Sequence, residues 1–236
     1  MTDDNSSNVG SSFKISSPKE RKELLERLPK GKKGDETFSL TFQGIYQAFK
    51  VDRIPIKYPL YNLKNTRTAS AQQQCLAENS NFDKGLFNDN QSIKAQEQQH
   101  IILKTLDSKS TEKNLEDNLK TQGQTEPLIL DSNAVVWNGN RRLSKMRDLN
   151  YFSSKLAGKF ENIKVVILPP CDESALVTLE AGLDIIKTGK EDFSWHSKSL
   201  RIRNMVQDGI SEQEIMKMRG MKKIEIRNSV SMINYV

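Results

Sequence analysis

The residues best placed to do chemistry lie in the stretch WNGNRRLSKMRDL (137–149). An apolar run ends, Asn138-Gly139 makes a turn, and a helical period begins through Leu143, Met146 and Leu149. Two arginines, Arg141 and Arg142, fall in the first turn of that helix. Free backbone N–H groups at a helix start already attract anions. Cationic side chains there oppose the helix dipole, so their placement costs a little stability. The combination makes sense if a phosphate sits at the turn, with Gly139 allowing close backbone approach and the arginines supplying planar donor forks. The same pattern also arises when one arginine pairs with a carboxylate and the other is exposed, and the spacing alone leaves both readings open.

A second candidate occupies 208–236, DGISEQEIMKMRGMKKIEIRNSVSMINYV. Ser211 and Glu214 form the S-x-x-E pattern that opens a helix. Ile215 and Met218 face inward, Gly220 makes the turn, and a second helix from about Lys223 buries Ile226, Val230 and Ile233. This reads as a helix-turn-helix, whose second helix enters the major groove with its N-terminal residues near base edges. Arg219, Lys222 and Lys223 would then serve phosphates, and Glu225, Arg227 and Asn228 would reach bases. The bland alternative is a helical hairpin used for packing or dimerisation. The sequence ends inside this second helix without a closing cap, so a fragment or a further helix is expected.

The elements that must position these residues follow from pattern. Residues 1–38 are expected to be a disordered or charged segment, with one short helix begun by Ser17 and Pro18 and stopped by Pro29. Residues 39–61 are rich in β-branched and aromatic types and read as strands. The stretch 71–95 is poor in apolar residues and dense in Asn and Gln, the mark of a surface insertion or mobile loop. Residues 95–122 carry two amphipathic helices, one with Ile101, Ile102 and Leu106 inward, the other with Leu115 and Leu119, closed by Gly123. Leu128–Leu130 and Ala134–Trp137 flank Asp131-Ser132-Asn133 as a hairpin, and IKVVIL (163–168) is a buried strand. Beyond Pro170 the pattern is helical only, with Asp172 capping a helix through Leu176, Leu179 and Leu183 to Gly189. Another covers about 196–207, with Leu200, Met205 and Val206 inward. Mixed elements followed by helices predict an α+β domain over 39–170 and an all-α module over 171–236.

Composition narrows the classes. Apolar residues make up 36% of the 236 and charged residues 28%, with a formal net charge of +6. Residues 187–236 hold ten Lys/Arg against six Asp/Glu, a basic surplus suited to a polyanionic partner. No apolar run is long enough to span a membrane. MTDDNSSNVGSS lacks the regions of a secretory signal, and Cys75 and Cys171 form no motif, so a cytoplasmic location is expected. His100 and His196 have no Cys or His at ligand spacing, which argues against structural zinc. Neither G-x-x-x-x-G-K-[ST] nor G-x-S-x-G occurs, leaving Walker-type NTPases and α/β-hydrolases unsupported.

The run GQTEPLIL…WNGNRRLSKMRDL (123–149) resembles the ParB/sulfiredoxin superfamily, whose members carry a G-Q-x-x-P segment, a hairpin and a G-x-R-R box opening a helix. LYNLKNTRT (60–68) resembles that family's early N-P-x-N-x-R box through Asn62, Asn65 and Arg67, and LVTLEAGL (176–183) lies where partition proteins carry E-N-x-Q. The resemblance implies a ParB/sulfiredoxin-like mixed sheet with helices. It implies that Gly139, Asn140, Arg141 and Arg142 line nucleotide phosphates, and that Asn65, Arg67, Gln124, Thr125 and Glu126 contact the nucleotide, Gln124 to Glu126 near its base. Glu180 keeps the acidic position assigned to metal and catalysis, but Ala181 stands where the family has Asn, so the metal set is incomplete and hydrolysis is put in doubt. The sulfiredoxin branch needs a cysteine in the box, and Asn140 and the arginines stand there instead.

Together these readings lead to a DNA-binding protein, expected as a homodimer, with a nucleoside triphosphate such as CTP and Mg²⁺ controlling its state. The runner-up is a phosphoryl-transfer enzyme or nuclease on the same cradle, serving plasmid or phage biology. A plain interaction module is the third reading.

Overall fold

The computed structural model describes residues 14–28, 35–108, 114–187, 202–203, 205–207, 209–219 and 221–233. Helix α1 (Pro18–Arg27) opens as its sequence dictates. Ser17 Oγ accepts the Glu20 N–H, and Glu20 Oε2 accepts the Ser17 N–H, a closed capping box with proline at the first position. This helix is anchored within the N-terminal segment expected to be disordered or charged. Arg21 is buried and donates to the Ser16 carbonyl and to Gln91, while Leu24, Leu25 and Leu28 pack on the main core.

A hairpin follows, β1 (Thr37–Phe42) with β2 (Ile45–Lys50), turned by Gln43 and Gly44, both at positive φ. The central sheet has five strands in the order β3-β7-β5-β6-β4. They are β3 (Asp52–Pro55), β4 (Leu60–Tyr61), β5 (Leu128–Leu130), β6 (Val135–Asn138) and β7 (Asn162–Ile167). β3 with β7 and β5 with β6 run antiparallel, whereas β5 with β7 and β4 with β6 run parallel. The β5–β6 hairpin is the one expected from Asp131-Ser132-Asn133. Asp131 Oδ1 accepts N–H groups from Asn133 and Val135, at 2.8 and 2.9 Å, fixing the turn.

Strand alternation splits the apolar residues between two cores. Leu128, Leu130, Val136, Ile163 and Val165 face helices α3 (Ile93–Ser108), α4 (Asn114–Gln122) and α5 (Asn140–Tyr151). Ile129, Trp137, Val166 and Leu168 face α6 (Glu173–Lys187) and the β1–β2 hairpin through Leu176, Leu179, Leu40 and Phe42. A third core joins Ala181 of α6 to Ile202, Met205, Ile215 and Ile226. The last two belong to α7 (Glu212–Arg219) and α8 (Lys223–Ile233). The molecule is therefore an α+β layer structure with a small helical module on α6. Although α6 lies inside the segment expected to be a separate all-α module, its first half completes the sheet's core.

Several expectations need correction. The stretch 71–95, expected as a surface insertion or mobile loop, is irregular only in its middle part, between about 79 and 92. It holds most of α2 (Ala69–Glu78), a 3-10 turn (Leu86–Asn88) and the start of α3, and it buries Gln72 and Phe87. Its low apolar content misleads because amide hydrogen bonds from Gln72 add to the few apolar contacts, Phe87 and Leu76 among them, that join it to the main core. In α3 the inward residues are Ile102 and Leu103, while Ile101 is 45% exposed. Met205 is inward as expected, but Val206 is exposed and Ile202 is buried in its place. Pro29, Gly189, Leu200 and Gly220 lie outside the described residues, as do the side chains of Met218, Arg219 and Ile233. Among the described residues no helix is long and apolar enough to cross a membrane.

Candidate functional site

Strand β6 delivers the chain to α5 through Gly139, whose φ is +105°. A Cβ at this position would overlap Leu128 Cδ2, so glycine is demanded by the backbone conformation and by the packing of β5. The next residue is a brace. Asn140 is 5% exposed; its Nδ2 donates to the Val136 carbonyl at 2.9 Å, and its Oδ1 accepts the Asn62 N–H at 3.1 Å. The helix start is thus tied to the loop leaving β4. Asn62 Oδ1 accepts the Lys64 N–H at 3.0 Å, whereas Asn62 Nδ2 is buried with no hydrogen-bond acceptor. That donor, beside the unsatisfied N–H groups of a helix start, is chemically suited to an anion.

The loop itself is held by buried amides. Gln96 exchanges hydrogen bonds with the main chain of Tyr61, at 2.7 and 2.9 Å. Gln72 Nε2 donates to the Leu63 carbonyl and to Gln99 Oε1, and Gln99 Nε2 donates to Thr68 Oγ1, each at 2.8 Å. Within the loop Asn65 Oδ1 accepts the Arg67 N–H at 2.9 Å, so Asn65 shapes the turn that carries half-buried Arg67.

Both arginines of the box are engaged within the protein. Arg141 donates through Nε and Nη2 to Asp107 Oδ1, at 3.2 and 2.8 Å. Lys145 Nζ sits 2.8 Å from the other oxygen of Asp107 and 3.4 Å from Glu116 Oε2. Burial pushes the Asp107 carboxyl upward, but Lys145 and Arg141 outweigh it and hold the group below its ordinary range. Arg142 Nη1 donates to the carbonyls of Glu126 and Pro127, at 2.7 and 3.1 Å, and its Nη2 lies 3.0 Å from Glu126 Oε2. Burial draws the Arg142 pKa down and the Glu126 carboxylate opposes it.

The other expected nucleotide contacts are distributed around this frame. Gln124 extends the sheet, donating to the carbonyls of Lys164 and Glu126 and accepting the Lys164 N–H at 2.7 Å. Thr125 and Glu126 are exposed. Gln124, Glu126 and Arg142 are brought together, as are Asn62 and Asn140. Glu180 lies half-buried on α6 between Leu179 of the second core and Ala181 of the third. Among the described residues no group of three or more His, Cys, Asp or Glu is arranged to hold a metal ion. Among the described residues, Glu180 is not part of such a group. A phosphate group would find donors at the helix start and at Asn62 Nδ2.

Pattern reading missed Asp107 and Lys145. The available signal was the i, i+4 spacing of Arg141 and Lys145, two like charges on one helix face that need a carboxylate between them. It also missed a buried network behind the site. His100 Nδ1 lies 2.8 Å from the Tyr61 hydroxyl and 3.3 Å from Ser144 Oγ, and His100 Nε2 lies 3.1 Å from Asp148 Oδ1. Ser144 and His100 are 3% and 2% exposed, so this Ser-His-Asp set is closed to substrate and serves to join α3, β4 and α5. Arg147 is fully buried, its guanidinium 4.7 Å from the Tyr61 ring centre, donating to the Pro59 carbonyl at 2.6 Å.

In the helical module the capping box is present, with Glu214 N–H to Ser211 Oγ at 3.3 Å and Ser211 N–H to Glu214 Oε2 at 3.1 Å. Lys222, Lys223, Glu225, Arg227 and Asn228 all lie exposed at the start of α8. Glu225 caps that start by accepting the Lys222 N–H at 2.6 Å, and Glu212 of α7 takes both Arg227 Nε at 3.1 Å and Lys223 Nζ at 3.2 Å. Such surface pairs are weak and readily exchanged for other anions.

No family model matches this chain, and no curated protein matches it. One solved structure to which it is similar is described as the C2221 form of a Pnob8-like ParB-N domain. The likeness has a TM-score of 0.39 and 13% sequence identity, covering 79% of this chain and 51% of that one. The chain thus spans about half the length of that protein.

Proposed function

We propose that this chain is a DNA-binding protein whose α7–α8 module meets the duplex and whose state is set by a nucleotide, CTP being the expected one, at the start of α5. The observation that carries the reading is α6. Its Leu176 and Leu179 complete the core against β6 and its neighbours, and its Ala181 anchors the helical module. One rigid element therefore joins the helix-start anion donors, through the strand that delivers them, to the helix that offers Lys222, Lys223, Arg227 and Asn228. Lysines and arginines there neutralise phosphates, and Asn228 is a residue type that reads base edges. A homodimer would present two such helices to a duplex.

The test is binding of duplex DNA across a salt series, with and without CTP and Mg²⁺. Affinity should fall steeply with salt, and Lys222→Ala should lower the slope by about one. Glu212→Gln should tighten binding by releasing Lys223 and Arg227, and Arg141→Ala/Arg142→Ala should abolish any response to CTP. Binding that ignores salt and Lys222→Ala would leave the module as a packing or dimerisation hairpin.

A further inference from the structure

We infer that Lys145 is a third cation of the anion site and that Asp107 is its internal occupant, a carboxylate that an incoming phosphate must displace. The inference rests on the anion reading of the α5 start and specifies where and how the anion is held.

Arg141 and Lys145 stand one turn apart on α5 and converge on a single carboxylate, Arg141 on Asp107 Oδ1 and Lys145 on Oδ2. Their side chains are 14% and 15% exposed and that of Asp107 is 10%, so the cluster is largely withdrawn from water yet open at its edge. Two oxygens of a phosphate offer the two cations the same paired acceptors as the two oxygens of this carboxylate, with more charge. Asp107 lies in the last turn of α3, where a negative charge opposes the helix dipole. Its own helix thus disfavours it, and what holds it is the cation pair on α5. Lys145 also has a second carboxylate within reach, Glu116 at 3.4 Å, itself paired with Lys120 at 2.6 Å. Leaving Asp107 therefore does not strip Lys145 of every partner.

Such an arrangement makes the free protein self-occupied. Apparent affinity for an anion is reduced by the fraction of molecules in which Asp107 holds the pair. Anion entry releases the end of α3 from α5, which couples occupancy to the packing of these helices.

The experiment is titration of inorganic triphosphate into the full chain, as wild type, Asp107→Asn, Asp107→Asn/Lys145→Gln and Arg141→Ala/Arg142→Ala. Asp107→Asn should bind roughly tenfold tighter than wild type, the scale expected when a competing internal anion is removed. Adding Lys145→Gln should reverse the gain. Because Asp107→Asn could fail to fold, the side-chain Nε–H resonance of Arg141 is followed in wild type as well. It should shift on triphosphate addition as the guanidinium changes partner. Equal or weaker binding by folded Asp107→Asn, or an Arg141 resonance unmoved by bound triphosphate, overturns the self-occupied site but leaves the anion reading standing. Triphosphate and CTP that bind neither wild type nor Asp107→Asn overturn both.

Discussion

Asn62 donates its main-chain N–H to Asn140 Oδ1 at 3.1 Å, across 78 residues of sequence. With the Asn140 Nδ2 bond to Val136, this one amide locks the exit of β4, the end of β6 and the first residue of α5 into one frame. Everything the site can do depends on that frame, since it sets the direction of the helix start.

Asn140→Ala should therefore destabilise the protein by about 2 kcal/mol, because it leaves a buried N–H and a buried carbonyl without partners. Urea denaturation measures the loss. Hydrogen exchange of the Asn62 amide should accelerate more than that of amides in β7. Uniform acceleration would show that the bond has no local bracing role.

Gly139→Ala should cost about 2 kcal/mol or more, from a strained φ and from overlap with Leu128. Leu128→Ala removes the overlapping atom at the expense of a cavity. Combined, the two substitutions should cost less than the sum of the single ones by about 1 kcal/mol, the φ penalty remaining. Simple additivity in a denaturation cycle would place the whole effect in the backbone.

The acid limb of stability should be set in part by Asp107 and Asp148. Burial raises both carboxyls, but Lys145 and Arg141 in the first case, and His100 and Lys104 in the second, depress them further. A carboxyl depressed on folding contributes its stability above the unfolded value, about 3.9. That contribution fades as pH falls through this value toward the folded one. The gap in stability between wild type and Asp107→Asn, or Asp148→Asn, should thus be full near neutrality and narrow as pH drops from about 6 to about 3. A gap that holds constant in urea titrations over this range would show that neither pair is coupled to folding in this way.

How much of this was legible in the sequence differs by element. The hairpin at Asp131, the glycine turn into α5, the cap at Ser17, the capping box at Ser211 and the helix after Asp172 were readable because each is a local event, fixed by a few neighbouring side chains and backbone angles. The helices within 71–95 are not legible because the stretch carries little apolar periodicity. Buried Gln72 and half-buried Asn90 bond main-chain groups of Leu63, while Gln96 and Gln99 of α3 hold the Tyr61 main chain and the Thr68 hydroxyl. A polar sequence gives no sign of such bonds until the partner loop is in place.

By itself, the sequence determined where strands and helices form outside 71–95, that an α+β layer precedes a helical module, and that two arginines stand at a helix start. Only the tertiary structure decided what those arginines meet. Asp107 and Glu126 reach Arg141 and Arg142 from 34 and 16 residues away, and Glu212 spans to Arg227 over 15. Backbone propensity acts over a turn of helix or a pair of strand residues. Ion pairing depends on which helix ends the sheet brings within about 3 Å, and that is a property of the packed whole.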